Sequence, residues 1–187
     1  DANSRRKECV FEAVYRDLYA TYRDELSSDS RRKQVQQWIK RLQIIDSTTI
    51  TLFSNLIFKG AGRHPKTGKK KGGIKVHANI HANEGVPSDI RFTSAATNDS
   101  FMLRPSNYAC GDIVALDRAY IDYAKFEELT RREVIYVTKM KKNLTFDTVS
   151  DTMYMHPEGL MEYRVQHVIF HKHVKDGEDI EHHARII

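Results

Sequence analysis

The chain has 187 residues, of which 40% are hydrophobic and 29% are charged, a composition typical of a globular domain that buries one sizeable core. Its net charge of +5 permits an anionic partner without requiring one, and no apolar run approaches the length of a membrane span. Cys9 and Cys110 lie far apart and in no metal-ligand spacing, which argues against a cysteine metal site and indicates reduced thiols.

Two amphipathic helices are predicted ahead of residue 40. Residues 5–26 place apolar side chains on one helical stripe, which is formed by Val10, Phe11, Val14, Leu18 and Tyr22. The serine-rich segment 27–30 ends this helix and caps a second one, whose apolar face contains Trp38 and Ile39. The chain starts without an initiator Met or an apolar signal segment, so we expect it to be a piece of a longer protein.

The segment from Arg41 to Phe53 is rich in β-branched residues and predicts a strand that carries one carboxylate, Asp46. An ionised carboxylate away from water is costly unless it is paired or binds a metal ion. One interpretation is an Asp at the wet end of the strand, hydrogen-bonded to Ser47 or Thr48. The other is a metal ligand, and a second, similar site downstream favours it.

That second site is the apolar run Ile113–Leu116, which predicts a strand buried on both faces and is followed at once by Asp117. Asp117 falls where a strand ends and the chain turns toward a helix, the edge at which α/β proteins place their ligands. If the two strands are neighbours, Asp46 and Asp117 can face one divalent cation, which would offset the repulsion between the carboxylates.

A basic, glycine-rich loop follows the Asp46 strand. The order of Gly62, Gly68 and Lys70 departs from a nucleotide-binding P-loop, and no helix follows, so we reject nucleotide binding. Two interpretations stay open for Lys69, Lys70 and Lys71: a solvated hairpin connection, or contacts with a phosphate backbone.

Two further strands are predicted at residues 74–81 and 89–93, and a short helix at 98–103. The first of these strands alternates strictly, with isoleucine, valine and alanine on one face and polar residues on the other. His77 and His81 lie on the polar face, so both are expected at the surface.

The next predicted elements are a helix over Asp122–Arg132, with Phe126 and Leu129 inward, and a buried strand over residues 134–138. Three lysines follow this strand: Lys139, Lys141 and Lys142. They are well placed for a phosphate backbone, and a solvated turn is the competing interpretation.

Beyond residue 144 the pattern predicts an antiparallel β insertion, with strands over 161–170 and 180–186 and a hairpin at Asp176–Gly177. Four histidines in this part are expected on a wet face: His171, His173, His182 and His183.

The order of these elements and several short blocks resemble the DDE transposases of the IS4 type. The blocks are Ile44–Thr48, Gly73–His77, Leu116–Tyr120 and Val137–Lys139. The resemblance implies an α/β fold with a ribonuclease-H-like mixed sheet, in which three antiparallel strands precede parallel strands with helices. It divides the chain into an N-terminal helical segment (1–40), the first half of the catalytic core (41–143) and a truncated β-rich insertion (144–187).

Two departures from the family pattern stand out. The family has a third acid, a glutamate on a late helix within a Tyr, Arg, Glu and Lys pattern that this sequence lacks. The resemblance therefore assigns only Asp46 and Asp117, and we expect this fragment alone to be inactive. Ala119 stands where the family often has glycine.

The resemblance also implies metal-dependent DNA chemistry. Asp46 and Asp117 would be the catalytic residues and the ligands of two Mg²⁺ ions, for which Mn²⁺ can substitute, during strand cleavage and strand transfer by in-line attack on phosphodiesters. The expected partner is double-stranded DNA, both the ends of an insertion sequence and its target. The residues expected to contact DNA are Lys69, Lys70, Lys71, Arg118, Lys139, Lys141 and Lys142.

The expected setting is the bacterial cytoplasm, where a homodimer binds DNA at the nucleoid and no membrane is involved. Three alternatives stay open: a catalytically inactive relative that only binds DNA, a ribonuclease-H-like nuclease without strand transfer, and a small interaction domain whose aspartates are structural.

Overall fold

The structure is a computed structural model that describes residues 7–27, 36–51, 73–159, 161–174 and 179–187. The chain divides into two compact units, unit 1 (residues 1–97 with 112–115) and unit 2 (residues 98–111 with 116–187). Within the described segments, no helix combines the length and the apolar character that crossing a membrane requires. The predicted basic loop with Lys69, Lys70 and Lys71 and the predicted hairpin at Asp176–Gly177 lie outside the described residues.

Five strands of the described chain form a mixed sheet. In chain order they are β1 (Leu42–Thr51), β2 (Gly73–His81), β3 (Pro87–Ser94), β4 (Ile113–Leu116) and β5 (Ile135–Thr138), and their order across the sheet is β3-β2-β1-β4-β5. β1, β2 and β3 pair in antiparallel fashion. The amide of Ile113 donates to the carbonyl oxygen of Arg41 (3.0 Å), which joins the start of β4 to the start of β1. These two strands therefore run parallel.

A separate antiparallel sheet has three strands in the order β6-β7-β8: β6 (Asp147–Met155), β7 (Glu162–Lys172) and β8 (Ile180–Ile186). The α/β architecture, with a mixed sheet and an added antiparallel sheet, confirms the predicted fold class and is consistent with a ribonuclease-H-like fold. β6 was not predicted, because its sequence mixes polar, charged and apolar residues without a clear alternation.

The described helices are α1 (Glu8–Ser27), α2 (Gln37–Lys40) and α3 (Tyr123–Arg131). α1 contacts the rest of unit 1 through tyrosines, since the Tyr15 hydroxyl donates to the carbonyl oxygen of Pro87 and the Tyr19 hydroxyl to the carboxylate of Glu84. The apolar stripe that the sequence predicted lies on exposed positions of this helix.

α3 matches its prediction closely. It occupies residues 123–131 and buries Phe126 and Leu129, which are 2% and 0% exposed. Phe126 stacks on Tyr136 of β5, with ring centroids 4.1 Å apart. In the predicted short helix, residues 99–102 form a single 3-10 turn, and the side chain of Asn98 caps it by accepting a hydrogen bond from the amide of Ser100.

Two strands are less buried than predicted. In β4 the buried residues alternate, with Val114 and Leu116 inside and Ile113 and Ala115 partly exposed. β5 lies at one edge of the mixed sheet and leaves every second side chain, including Ile135, exposed. An apolar run therefore identified the strands correctly, although each strand buries only one face.

Candidate functional site

Asp46 lies in the middle of β1 on its more exposed face. Gln43 and Ile45 are buried on one side of the strand, and Ile44 and Asp46 are exposed on the other. The Asp46 Oδ1 atom accepts a hydrogen bond from the backbone amide of Ser47 (2.8 Å). This bond fixes one carboxylate oxygen and supports the local interpretation in part, while the exposed position keeps the carboxylate accessible to a ligand.

Asp117 is the first residue after β4, and it precedes a 3-10 turn formed by Arg118–Tyr120. Its carbonyl oxygen accepts from the amide of Tyr120 (3.0 Å), and Tyr120 is buried beneath the turn. The Asp117 carboxylate is exposed and makes no capping hydrogen bond with the turn. The backbone of Asp117 thus takes part in the turn, whereas its carboxylate does not.

The two carboxylates fit a hard divalent cation in their chemistry. Mg²⁺ prefers oxygen donors and is commonly held by one or two carboxylates together with waters and substrate phosphates. Asp46 and Asp117 each offer an exposed carboxylate of this kind. Among the residues that the structure describes, no group of three or more His, Cys, Asp or Glu side chains could hold a metal ion.

Four of the predicted DNA-contacting residues are described, and all lie in unit 2. Arg118, Lys139 and Lys142 are exposed, and Lys141 is partly exposed. Lys139 directly follows β5, and the other two lysines lie in the turn beyond it. Their charges are accessible to an anionic ligand.

The sequence does not predict a chain of polar side chains that is centred on a buried glutamine in unit 1. Gln43, only 6% exposed, donates from Nε2 to Oδ2 of Asp112 (3.0 Å) and accepts at Oε1 from Nδ2 of Asn79 (3.0 Å). These contacts connect the start of β4 with β1 and β2. The sequence signal is a glutamine at the same strand parity as the buried Ile45, where an apolar residue would be usual.

His77 corrects a second expectation. It was predicted on a solvated face of β2 but is fully buried, at 0% exposure, and its Nε2 atom lies 2.8 Å from the hydroxyl of Thr93 on β3. His77 is therefore an interior residue of unit 1, while His81 on the same face is partly exposed. Thr93, the partner of His77, lies sixteen residues away in the sequence, so no local sequence pattern predicts the contact.

His182 of β8 corrects the expectation that the histidines of the insertion are all solvated. It is 1% exposed, and its two ring nitrogens contact the Glu127 carboxylate of α3 and the Tyr136 hydroxyl of β5. Burial lowers the pKa of His182, although the Glu127 carboxylate opposes this shift. Burial also raises the pKa of Tyr136, and the nearby Glu127 carboxylate acts in the same direction. His171 and His173 are exposed as predicted.

A cleft of about 1140 Å³ lies within unit 2, lined mainly by apolar side chains of β5 and the three-stranded sheet. Lys139, His183 and Arg185 contribute polar groups to its wall. Neither Asp46 nor Asp117 lines it, so this cleft is separate from the candidate carboxylates.

The fold is a ribonuclease-H-like α/β domain whose mixed sheet has one exposed aspartate within β1 and another directly after β4. Residues 37–175 match the family model of the transposase DDE domain. Because this match covers most of the chain, the chain belongs to the transposase DDE domain family. No curated protein and no solved structure shows a significant match.

Proposed function

We propose that this chain is part of the catalytic domain of an IS4-type insertion-sequence transposase, in which the complete enzyme cleaves DNA strands and transfers them by metal-dependent attack on phosphodiesters. The family match supports a transposase that acts on DNA. The four sequence blocks that resemble the IS4 type support the finer assignment. In this proposal a homodimer acts in the bacterial cytoplasm, at the nucleoid, on the ends of the element and on target DNA.

The observation that carries the proposal is the register of β1 and β4. Their starts are joined by the bond from the Ile113 amide to the Arg41 carbonyl oxygen. The buried positions alternate in each strand, at Gln43 and Ile45 of β1 and at Val114 and Leu116 of β4. Asp46 directly follows Ile45, and Asp117 directly follows Leu116.

The resemblance assigns Asp46 and Asp117 to one metal site, and each is an exposed carboxylate that directly follows a buried strand residue. If both carboxylates face one cation, the cation offsets the repulsion between them. This is the physical reason to propose a metal site at Asp46 and Asp117 rather than two separate structural roles.

Asp46 and Asp117 would hold Mg²⁺ or Mn²⁺ in this proposal. A bound divalent ion would supply activation of the attacking oxygen and charge stabilisation at the phosphodiester. Ser47 contributes by holding Asp46 in one orientation through its backbone amide (2.8 Å), so the carboxylate loses less side-chain entropy when it binds. Arg118 and the three lysines after β5 would neutralise backbone phosphates and orient the strand.

The first experiment measures DNA cleavage by the full-length protein that contains this chain. Asp46→Ala and Asp117→Ala should each abolish Mg²⁺-dependent nicking of a supercoiled plasmid, because each change removes a metal ligand. Both variants should still shift DNA in a gel, since the basic residues are intact.

Asp122→Asn is the matched control, because Asp122 is the N-cap residue of α3 and, like Asp117 at its own turn, makes no side-chain capping hydrogen bond. Its cleavage rate should equal that of the wild type. Normal cleavage by either alanine variant would contradict the assignment. DNA binding without cleavage by the wild type would instead favour a catalytically inactive relative.

A further inference from the structure

A chain of partly buried side-chain hydrogen bonds, centred on the buried Gln43, connects three strands of unit 1. It runs from the Asp112 carboxylate at the start of β4, through the Gln43 amide on β1, to the Asn79 amide on β2, with both links 3.0 Å long. The glutamine is the middle member of this chain, so it ties β4 to the two longer strands beside it.

The burial of Gln43 is the reason why its hydrogen bonds matter for the stability of the sheet. The residue is 6% exposed and lies in phase with Ile45, which is 2% exposed. Burying a carboxamide costs free energy that is recovered only when its donor and its acceptor are both satisfied. At this site Nε2 donates to Asp112 and Oε1 accepts from Asn79, so both groups are used.

A side-chain contact that fixes the strand register matters more for β4 than for the other strands of unit 1. It has four residues, compared with ten in β1 and nine in β2, and a short ladder specifies its register weakly. A slip of one residue in a strand moves every side chain to the opposite face. A directional hydrogen bond at the start of the pairing excludes that slip.

We propose that Gln43 is a positioning residue that holds β4, the strand that Asp117 directly follows, in register with β1. This inference rests on the proposed function, because the register matters to catalysis only if Asp46 and Asp117 share a metal ion. Gln43 itself touches neither the metal nor the DNA.

The test uses the pattern of donors and acceptors among Asp112, Gln43 and Asn79. Gln43→Glu places a carboxylate against Asp112, where like charges repel and no donor remains between them. Asp112→Asn alone keeps an oxygen that accepts from Gln43, so its effect should be smaller. In the double variant the new amide at position 112 donates to the new carboxylate at position 43, and Asn79 still donates to that carboxylate, which restores both links of residue 43.

The readouts are the Mn²⁺ dissociation constant of the full-length protein, from water-proton relaxation, and its thermal midpoint. Gln43→Glu should weaken Mn²⁺ binding by about tenfold, as is typical when a group that orients a metal ligand is removed. The double variant should recover to within about threefold of the wild type, given that restored pairs are rarely perfect. Mg²⁺-dependent plasmid nicking should follow the same order.

Gln166→Glu is the matched control. Gln166 on β7 makes the same type of bond to an aspartate, with its Nε2 atom 3.1 Å from Oδ2 of Asp151, but in the three-stranded sheet. This variant should bind Mn²⁺ like the wild type. If Gln43→Glu does not fold, Gln43→Met, which removes both bonds at similar volume, should weaken Mn²⁺ binding in the same direction.

Two failures are distinguishable. If wild-type Mn²⁺ binding depends on Asp46 while Gln43→Glu and Gln43→Met both leave its affinity unchanged, the positioning role is wrong and the metal site stands. A lowered thermal midpoint with unchanged affinity would likewise mean that Gln43 is structural only. If Mn²⁺ binding is the same in the wild type and in Asp46→Ala, the proposed function itself fails.

Discussion

At the scale of single residues, His182 shows what the local pattern could not reveal. It occupies a strand position with charged and histidine neighbours, which predicts a wet face. Its partners, Glu127 and Tyr136, lie 55 and 46 residues away. The same holds for His77 and Thr93. A buried histidine is decided by such distant contacts, so sequence alone placed both residues wrongly.

The hydrogen-bond partners of His182 indicate its tautomer. The Glu127 carboxylate can only accept, which assigns the proton to Nδ1, and Nε2 then accepts from the Tyr136 hydroxyl. The ring also stacks on Tyr123, with centroids 5.7 Å apart. The neutral ring therefore has a partner at each nitrogen within an aromatic enclosure.

This environment predicts a pH-dependent stability. Because burial lowers the pKa of His182 in the folded state, the unfolded chain binds this proton more readily, so its contribution to stability is present above the unfolded pKa and is lost as the pH falls below it. The free energy of unfolding should therefore decrease between roughly pH 7 and pH 5. Urea denaturation at a series of pH values measures this slope.

His182→Gln should flatten the slope over that range, whatever it costs in overall stability. His173→Gln is the control, because His173 is exposed and its change should leave the slope in place. An unchanged slope in His182→Gln would show that other groups produce the pH dependence.

At the scale of elements, the sequence predicted strands and helices well where one periodicity dominates. The β-branched run of β1, the strict alternation of β2 and the amphipathic pattern of α3 all correspond to observed elements. The apolar stripe of α1 predicted its helix correctly, but which surface an amphipathic helix covers depends on tertiary contacts that no periodicity contains. The three-stranded sheet was predicted only in part, because β6 lacks a periodic pattern.

The end of α3 is a Schellman motif with an unusual residue at its left-handed position. The amide of Val134 donates to the carbonyl oxygen of Leu129 (2.9 Å), the amide of Glu133 donates to that of Thr130 (2.9 Å), and Glu133 has φ of 58°. Glycine usually occupies this position because it has no Cβ to clash. The buried contact partners Leu129 and Val134 hold the motif in place.

Glu133→Gly should stabilise unit 2 by roughly 0.5–1 kcal/mol, since it relieves the left-handed strain at the helix end. The loss of the hydrogen bond from the Cys110 thiol to the Glu133 carboxylate (2.8 Å) offsets part of this gain. Glu133→Ala loses the same bond and keeps the Cβ, so it should not stabilise. Chemical denaturation of the three proteins measures the difference, and equal stability of the Gly and Ala variants would contradict the strain argument.

At the scale of the whole molecule, the transposase family match and the net charge of +5 lead us to expect that the affinity for DNA depends on the salt concentration. The position of the three lysines after β5 could be predicted from sequence, because they follow a recognisable strand, whereas their contacts with DNA stay a prediction. The hydrogen bonds of the buried Gln43 could not be predicted, since a glutamine within a strand is only weakly informative without its partners.

Each phosphate contact that a lysine makes should appear in the salt dependence of DNA binding. Changing Lys139, Lys141 and Lys142 together to Ala should reduce the slope of log K against log salt by about one unit per lysine in contact. Lys172→Ala on β7 is the control and should leave the slope unchanged. Fluorescence anisotropy of a labelled duplex over a salt series measures it, and an unaltered slope in the triple variant would remove these residues from the interface.

The proposed chemistry depends above all on Asp46 and Asp117 holding one divalent site together. Electron paramagnetic resonance of Mn²⁺ with the full-length protein tests this most directly, comparing the wild type with Asp46→Asn, Asp117→Asn and the double variant. We expect that either single change removes the same bound Mn²⁺ and that the double change removes no more. Wild-type Mn²⁺ binding in both single variants, or losses that add in the double variant, would contradict a shared site.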